Sequence, residues 1–312
     1  MTNKKTIKFP LKIMLIVCAS ILALSIVIAC IFGFNASVGF GGGSQLKVEV
    51  SETSALSNAY AKTTKTLKNK GLHVESAFVE DNNDGHFVVV RLTNKTIKNA
   101  DDIRAAVAEA ANVDVSNVSN FEAVRGSLTT NFILMLSLSI LLIAMVVFFG
   151  GWLRYGVAGA TTLTVVYLVS IIMYLAALII TRVPISSGSL AVMGLSSIIA
   201  VIASILVCEF IRANAKTKQF EDHSVTELVT EGANSAIMPL CVLVAFVAVF
   251  SIISLFAPNA LVKLTAVSSL LGLIVSIGVG LFVGCGILIA LTEAAEFKKK
   301  LQVSKNPNLN KK

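Results

Sequence analysis

Six apolar runs, each long enough to cross a bilayer as a helix, constrain the fold of this chain more than any other feature. We place them at 13–34, 132–150, 156–180, 188–211, 235–257 and 264–292. An α-helix of about 20 residues spans a hydrocarbon core of about 30 Å. The composition agrees, because 55% of the residues are hydrophobic and only 14% are charged, whereas a soluble domain carries roughly 25% charged residues. The sequence predicts an α-helical polytopic membrane protein with six transmembrane helices. It excludes a cytosolic enzyme, and we predict no enzymatic activity.

The first run shares some features with a cleaved signal peptide. It follows the basic segment 1–12 and contains Val27-Ile28-Ala29-Cys30, a loose match to a lipoprotein cleavage site. The run stays apolar for four residues beyond Cys30, however, and five more apolar runs follow it. We therefore predict a retained membrane anchor at 13–34.

Lysine and arginine in the short flanks predict the orientation, because cytoplasmic loops carry an excess of both. The short loops on one side hold only Arg182 and Lys263. The other side collects fourteen such residues: Lys4, Lys5, Lys8, Lys12, Arg154, Arg212, Lys216, Lys218, Lys298, Lys299, Lys300, Lys305, Lys311 and Lys312. The sequence thus predicts a multi-pass protein of the plasma (inner) membrane whose termini, 1–12 and 294–312, are both cytoplasmic.

The polar region 35–131 is then external, and its pattern predicts a small α+β domain between the first two helices. Residues that alternate between apolar and polar predict strands, and a period near 3.6 predicts helices. In order, the predicted elements are strand 46–50, helix 55–67, strand 74–79, turn 81–85, strand 87–92, helix 101–111 and strand 118–124. The order βαββαβ is that of a ferredoxin-like fold. We expect residues 44–127 to fold alone, with only one of Val88 and Val89 facing the core.

Nucleic-acid and metal chemistry find no support in the sequence. The net charge of +8 arises at one membrane face, since region 35–131 has ten basic and eleven acidic residues. All five cysteines lie in apolar runs, and His73, His86 and His223 stand singly in polar segments. We therefore predict that the chain is in contact with the lipid bilayer. We predict no nucleic-acid partner, disulfide framework, metal or other cofactor.

The predicted spans are nearly free of ionisable residues, which are costly in hydrocarbon and usually functional there. Glu209 lies within about one turn of the cytoplasmic end of the fourth span. Arg212 follows three residues later on the same helix face, so the two can pair. Such a pair can fix the helix end at the interface, and a relay role is the alternative.

A stripe of small residues runs along one face of the last span at four-residue spacing. Its members are Ser268, Gly272, Ser276, Gly280 and Gly284. Small residues let helix backbones approach closely in lipid. The stripe predicts a helix-packing surface, either within the chain or between subunits.

Two segments resemble SecF, the six-span partner of SecD in bacterial protein export. Phe40, Gly41, Gly42 and Gly43, followed by an alternating strand, look like that family's G-x-D-F-x-G-G-T segment at the start of its external domain. The run 203–214 is similar to its D-T-V-V-V-F-D-R-I-R-E-N ending of the fourth helix. In that run the matching residues are Glu209, Arg212 and Asn214. The order of one helix, an external domain and five helices matches over nearly the whole chain.

The resemblance implies a SecF-like translocase subunit that acts with a SecD-like subunit, a SecY-type channel and exported unfolded polypeptides. The family's titratable groups are missing, however. Its first-motif Asp corresponds to Gly39, its fourth-helix Asp to Ala203, and its third-helix His-Asp pair falls near Val165 and Val166. The resemblance therefore implies a process and a partner, but not an intact proton pathway.

Two other classes of function stay open from the residues. A small-molecule or ion transporter of the resistance-nodulation-division type shares the architecture, although inverted repeats with broken helices are not visible. A non-catalytic membrane scaffold would suit a chain without intramembrane charges. Uptake of a solute by this chain alone would favour the transporter.

Overall fold

The computed structural model describes residues 11–51, 56–82, 85–94, 97–214, 224–257 and 260–293. The basic segments near both termini, the loop 215–223 and the tip of the predicted turn at 83–84 lie outside the described residues. The fold is mostly helical, with one small antiparallel sheet. Its helices are α1 Leu11–Phe32, α2 Val38–Gly41, α3 Leu56–Asn69, α4 Ala100–Ala111, α5 Thr130–Thr181, α6 Ser187–Asn214, α7 Val225–Ser254 and α8 Ala260–Ile277.

Four of the described helices are long and apolar enough to cross a membrane. They are Thr130–Thr181, Ser187–Asn214, Val225–Ser254 and Val262–Glu293, the last including the continuation of α8. A shorter apolar stretch, Ile16–Phe32, lies within α1. These helices agree with the predicted membrane protein.

The 52-residue helix α5 turns back on itself at Gly156, whose φ of 73° and ψ of −172° are not helical. In one straight helix, Gly151 and Ala160 would lie about 13 Å apart along the axis. A β-carbon on Gly151 would instead lie 3.0 Å from the Cα of Ala160. The segments before and after Gly156 therefore lie side by side, and they correspond to the predicted runs 132–150 and 156–180.

Helix α6 is the central helix of the membrane part, with neighbours in α5, α7 and α8. Its buried positions are mostly small residues, among them Ser196, Ala200, Ala203 and Ser204. Helix α8 continues as a π-helical segment, Gly278–Val283, where it meets α6. Extra residues in a turn of this kind shift the helix face, and they are frequent at functional sites.

The sheet domain lies between α1 and α5 in the chain. Its strands are β1 Gly43–Val50, β2 Val74–Asn82, β3 Gly85–Leu92 and β4 Glu122–Val124. They pair in the order β2-β3-β1-β4, and every neighbouring pair is antiparallel. Residues from β1, β3, α3 and α4, together with Val118 between α4 and β4, form one core: Leu46, Val48, Val50, Leu56, Ala59, Leu67, Val88, Val90, Leu92, Ile103, Val107, Ala108 and Val118.

The last strand is shorter than the predicted 118–124. A 3₁₀ turn, Val115–Asn117, comes first, and Val118 contributes only an isolated bridge to Val48. Side chains take the place of strand hydrogen bonds here. The N–H of Lys47 in β1 donates to the hydroxyl of Ser119 at 2.9 Å, and the guanidinium of Arg104 donates to the carbonyl of Val118 at 2.7 Å. That carbonyl is therefore occupied by a side chain.

The alternation of Val88 and Val89 places only one of them in the core between sheet and helices, as predicted, but it does not expose the other. Val88 belongs to the core between sheet and helices, yet Val89 on the opposite face is only 1% exposed. The alternation rule assumes that one face of the sheet meets water, and the central strand β3 has both faces covered at this point. Both valines are therefore sensitive positions.

We expect Val88→Asp to destabilise the domain by more than about 2 kcal/mol, because an unpaired carboxylate would enter the core. Val89→Asp should destabilise it as well. Val115→Asp is the control, since Val115 is 48% exposed, and it should change stability by no more than about 0.5 kcal/mol. Chemical unfolding of the purified fragment 44–127 measures the effect. Tolerance of Asp at both buried positions would contradict the observed register.

Candidate functional site

The segment after α1 is bonded to the loop between α5 and α6. Ser37 donates its backbone N–H to the carbonyl of Ile185 at 2.9 Å, and Ile185 donates to the carbonyl of Asn35 at 2.7 Å. Arg182 adds a bond from its guanidinium to the carbonyl of Gly33 at 2.6 Å. The start of the sheet domain is thereby fixed to the segment that leads into α6.

The glycines of the first motif allow a close crossing of the two segments that join the sheet to the membrane helices. Gly42 has φ +81°, and a β-carbon on Gly126 would collide with the carbonyl oxygen of Phe40. Ser127 donates to the carbonyl of Gly39 at 3.1 Å, and Leu128 to that of Phe40 at 3.0 Å. Gly41 lies in the same short helix α2. Larger residues at the crossing would force the segments apart.

Two further contacts hold this crossing. The ring of Phe40 is buried and meets Phe132 of α5 edge to face, with centroids 5.6 Å apart. A β-carbon on Gly43 would collide with the carbonyl oxygen of Leu92 in β3. The four residues Phe40 to Gly43 therefore form a structural junction between the sheet domain and the membrane helices.

Glu75 of β2 supports the same junction and was not identified from the sequence. Its carboxylate accepts the backbone N–H of Val38 at 2.7 Å. Burial raises the pKa of Glu75, and the hydrogen bond with Val38 and the charge of Arg91 offset this only in part. Glu75 and Val38 are 37 residues apart, so no local pattern relates them.

The small-residue stripe of α8 lies against α6. A β-carbon on Gly280 would lie 2.6 Å from the carbonyl oxygen of Ala200, and one on Gly284 would lie 2.5 Å from Oγ of Ser204. Both distances are too short for a side chain. At Gly280 backbone therefore meets backbone, whereas Gly284 leaves room for the side chain of Ser204, as expected for small residues at helix contacts in lipid.

Serine side chains connect the two helices. Ser196 of α6 donates to the carbonyl of Gly272 at 2.9 Å, and Ser276 of α8 donates back to the carbonyl of Ser196 at 2.7 Å. Ser204 donates to the carbonyl of Gly280 at 2.8 Å. Ser268, the first member of the stripe, is also fully buried. The sequence had indicated the α8 residues of this contact but not their serine partners on α6.

Two positions where the resembled family carries charged groups, Ala203 and Val166, lie at this same crossing, whereas the neighbouring Val165 is 38% exposed. Ala203 is fully buried, and its β-carbon would lie 2.7 Å from one placed on Gly280. Val166 of α5 is also fully buried, with a methyl group 3.3 Å from a β-carbon on Gly284. The place is apolar and closely packed, with no room for a carboxylate or an imidazole.

Glu209 forms its ion pair with Arg154 of α5, not with Arg212 as predicted. The Nε of Arg154 donates to Glu209 Oε1, and the hydroxyl of Tyr155 donates to the same oxygen at 2.5 Å. The side chains of Arg154 and Glu209 are 60% and 35% exposed. Arg212 is exposed, and Asn214 is the last residue of α6. The α5 partners lie more than 50 positions away in the sequence, where the helix period carries no information.

Among the described residues, no group of three or more His, Cys, Asp or Glu side chains could hold a metal ion.

We expect Gly280→Ala to destabilise the membrane part by about 1–3 kcal/mol, because the added methyl group has no space against Ala200. Gly278→Ala is the matched control in the same π-helical segment. Nothing lies within 4 Å of a β-carbon on Gly278, and alanine favours a helix over glycine by about 1 kcal/mol. Unfolding of both purified variants in mixed micelles measures the difference. Equal stability would contradict the close contact.

We expect Glu75→Gln to make the stability of the protein less dependent on pH. Folding raises the pKa of Glu75, so the ionised form is disfavoured in the folded state. Wild type should therefore gain stability from this group between pH 7 and pH 5, whereas Gln keeps an oxygen acceptor for Val38 but does not titrate. Thermal unfolding at both pH values, with Glu122→Gln as the exposed control, measures it. If the difference in stability between pH 7 and pH 5 were the same in Glu75→Gln as in wild type, the raised pKa of Glu75 would be contradicted.

Comparison with known proteins yields matches among solved structures alone. No family model matches the sequence, and no curated protein matches it. The crystal structure of SecDF in its super-membrane-facing form matches with a TM-score of 0.71 and 14% identity, over 97% of this chain and 41% of that one. SecDF from Thermus thermophilus, described as a translocon-associated membrane protein, matches with a TM-score of 0.62 and 16% identity, over 94% of this chain and 40% of that one.

At these identities the likeness concerns the fold alone, and the chain spans about two fifths of each SecDF chain. It covers the membrane helices and the sheet domain together, since nearly all of this chain takes part in the match. The protein therefore has a SecD/SecF-type membrane fold.

Proposed function

We propose that this protein is a SecF-like subunit that assists the export of unfolded polypeptides across the bacterial plasma membrane. The observation that carries the proposal is the match to two SecDF structures over 97% and 94% of this chain, the second of which is described as translocon-associated. The segments Phe40–Gly43 and Glu209–Asn214 resemble SecF, and they favour a SecF-like over a SecD-like subunit. A SecD-like subunit and a SecY-type channel are the proposed partners.

The proposed topology has six spans, two cytoplasmic termini and an external ferredoxin-like domain. The turn at Gly156 supports the count, because it divides α5 into two adjacent helices. The strand order β2-β3-β1-β4 supports the domain type. Arg182, at the end of α5, lies beside the segment that leads to the sheet. Arg154 lies next to Gly156, where the second half of α5 begins, and so at the opposite end of that half. This distribution is consistent with the orientation proposed from the charged flanks.

The crossing of α6 and α8 supports a role without proton transfer through this chain. A relay needs a group that gains and loses a proton inside the membrane. Ala203 and Val166 occupy the crossing, and the nearest carboxylate on α6, that of Glu209, is held by Arg154 and Tyr155 near the helix end. Any proton dependence of export should therefore come from the partner.

We expect Glu209→Gln to retain most of the export activity, since an exposed ion pair contributes at most about 1 kcal/mol. Gly280→Leu should abolish activity because α6 and α8 could no longer approach each other. Gly278→Leu, with open space at the β-carbon, is the matched control and should remain active. The measurement is secretion of a reporter protein in cells that lack the native gene and carry each variant.

Purification of the tagged protein from the same cells complements this assay. A SecD-like chain or a SecY-type channel should co-purify with wild type and with Glu209→Gln. Complete loss of proton-dependent secretion in an assembled Glu209→Gln complex would mean that this chain conducts protons. Solute uptake by the protein alone, without Sec partners, would favour the transporter.

A further inference from the structure

A cavity of about 550 Å³ opens where the ends of four helix segments meet, on the side away from the sheet domain. The second half of α5 begins there and α6 ends there. Helix α7 begins there, and the continuation of α8 ends there. Its lining residues are Arg154, Tyr155, Ala158, Gly159, Cys208, Ile211, Arg212, Val225, Leu228, Val229, Leu288 and Thr292. Pockets of about 300–1,000 Å³ are the usual size for small ligands.

The lining has an apolar part and a cationic part. Leu228, Val229 and Leu288 form part of an apolar wall, in continuity with a core cluster between α6, α7 and α8. Arg154 and Arg212 contribute guanidinium groups to the same cavity. A ligand that fills both parts would carry an anionic group on a hydrocarbon body.

The two arginines have donors left for such an anion. Arg154 uses its Nε for Glu209, which leaves the two terminal nitrogens. Within the described part of the chain, no carboxylate lies within ion-pair distance of Arg212, although the charge of Glu209 acts on it from further away. Glu293, next to the lining residue Thr292, accepts the hydroxyl hydrogen of Thr226 at 3.1 Å. Among the described residues, two guanidinium groups line the cavity, and no carboxylate does.

We propose that this cavity binds an anionic phospholipid, with the phosphate at Arg154 and Arg212 and part of an acyl chain along Leu228 and Leu288. Guanidinium groups bind phosphate oxygens through paired, charge-assisted hydrogen bonds. Basic pockets between membrane helices are suited to anionic headgroups. In the topology of the proposed function, the cavity lies at the cytoplasmic leaflet. That location rests on the proposed function, whereas the binding chemistry does not.

The bound lipid would contact all four helix segments at once. Two of them, α6 and α7, are separated in the chain by the loop 215–223 and meet at the cavity through Ile211, Val225 and Val229. A ligand seated there adds contacts that only the folded arrangement offers. It should therefore stabilise the protein.

The test uses the full-length protein in neutral detergent. Native mass spectrometry measures the binding of phosphatidylglycerol, phosphatidylcholine and inorganic phosphate, each added separately. We expect phosphatidylglycerol to bind at least roughly tenfold more tightly than either of the others, since it alone combines a net charge with acyl chains. Arg212→Gln should weaken its binding roughly tenfold. Lys263→Gln, which removes an exposed cation from the other end of the membrane helices, is the control and should bind as wild type does.

A second variant tests the apolar part without changing a charge. Leu228→Trp should reduce phosphatidylglycerol binding by filling the cavity, and thermal unfolding without lipid shows whether the variant is folded. Equal binding of the two phospholipids, or equal losses in Arg212→Gln and Lys263→Gln, would overturn the proposal. If inorganic phosphate bound as strongly as phosphatidylglycerol, the ligand of the cavity would be a free anion and not a lipid. None of these readouts depends on secretion, so the site and the export function can fail separately.

Discussion

The close approach of α6 and α8 is the contact on which the membrane part depends. Lipid offers no hydrophobic gain for bringing two apolar helices together, so association relies on van der Waals packing and hydrogen bonds. Gly280 and Gly284 let the backbones meet, and Ser196 and Ser204 bond directly to carbonyl groups of the other helix. Helix α5 then packs on this pair through Val166, and α1 adds Ile21 and Leu22 at the same cluster. A side chain larger than hydrogen at Gly280 would collide with Ala200 and Ala203 and so separate the two helices.

The same contact bears on function. The resembled family places ionisable groups where this chain has Ala203 and Val166, and both of these side chains are fully buried in the crossing. Neither side chain can gain or lose a proton, and the polar groups described around them are serine hydroxyls bonded to carbonyl groups. The SecD/SecF-type fold is therefore built here around a centre whose side chains serve packing. This is why the proposed role is that of a subunit whose energy coupling lies in its partner.

The elements that follow a local period could be predicted from the sequence. The apolar runs, the alternating strand 46–50 and the four-residue spacing of the α8 stripe belong to this group. Contacts between distant segments could not, since nothing in the sequence relates Glu209 to Arg154 or Glu75 to Val38. The helix period instead suggested Arg212 as the partner of Glu209. Val89 is a second example. Its alternation with Val88 indicated a side chain on the solvent face of the sheet, but in the folded protein this side chain is buried.

The bonded junction between the sheet domain and the membrane helices has a mechanical consequence. Two independent tethers would let the domain swivel freely, but here each connecting segment is hydrogen-bonded to the other, and the first is also bonded to Ile185, two residues before α6. A force on the sheet is therefore transmitted by the hydrogen bonds of Asn35 and Ser37 to Ile185, just before the start of the central helix. The sheet domain and the central helix are therefore coupled at this junction by hydrogen bonds, and not by the connecting chain alone.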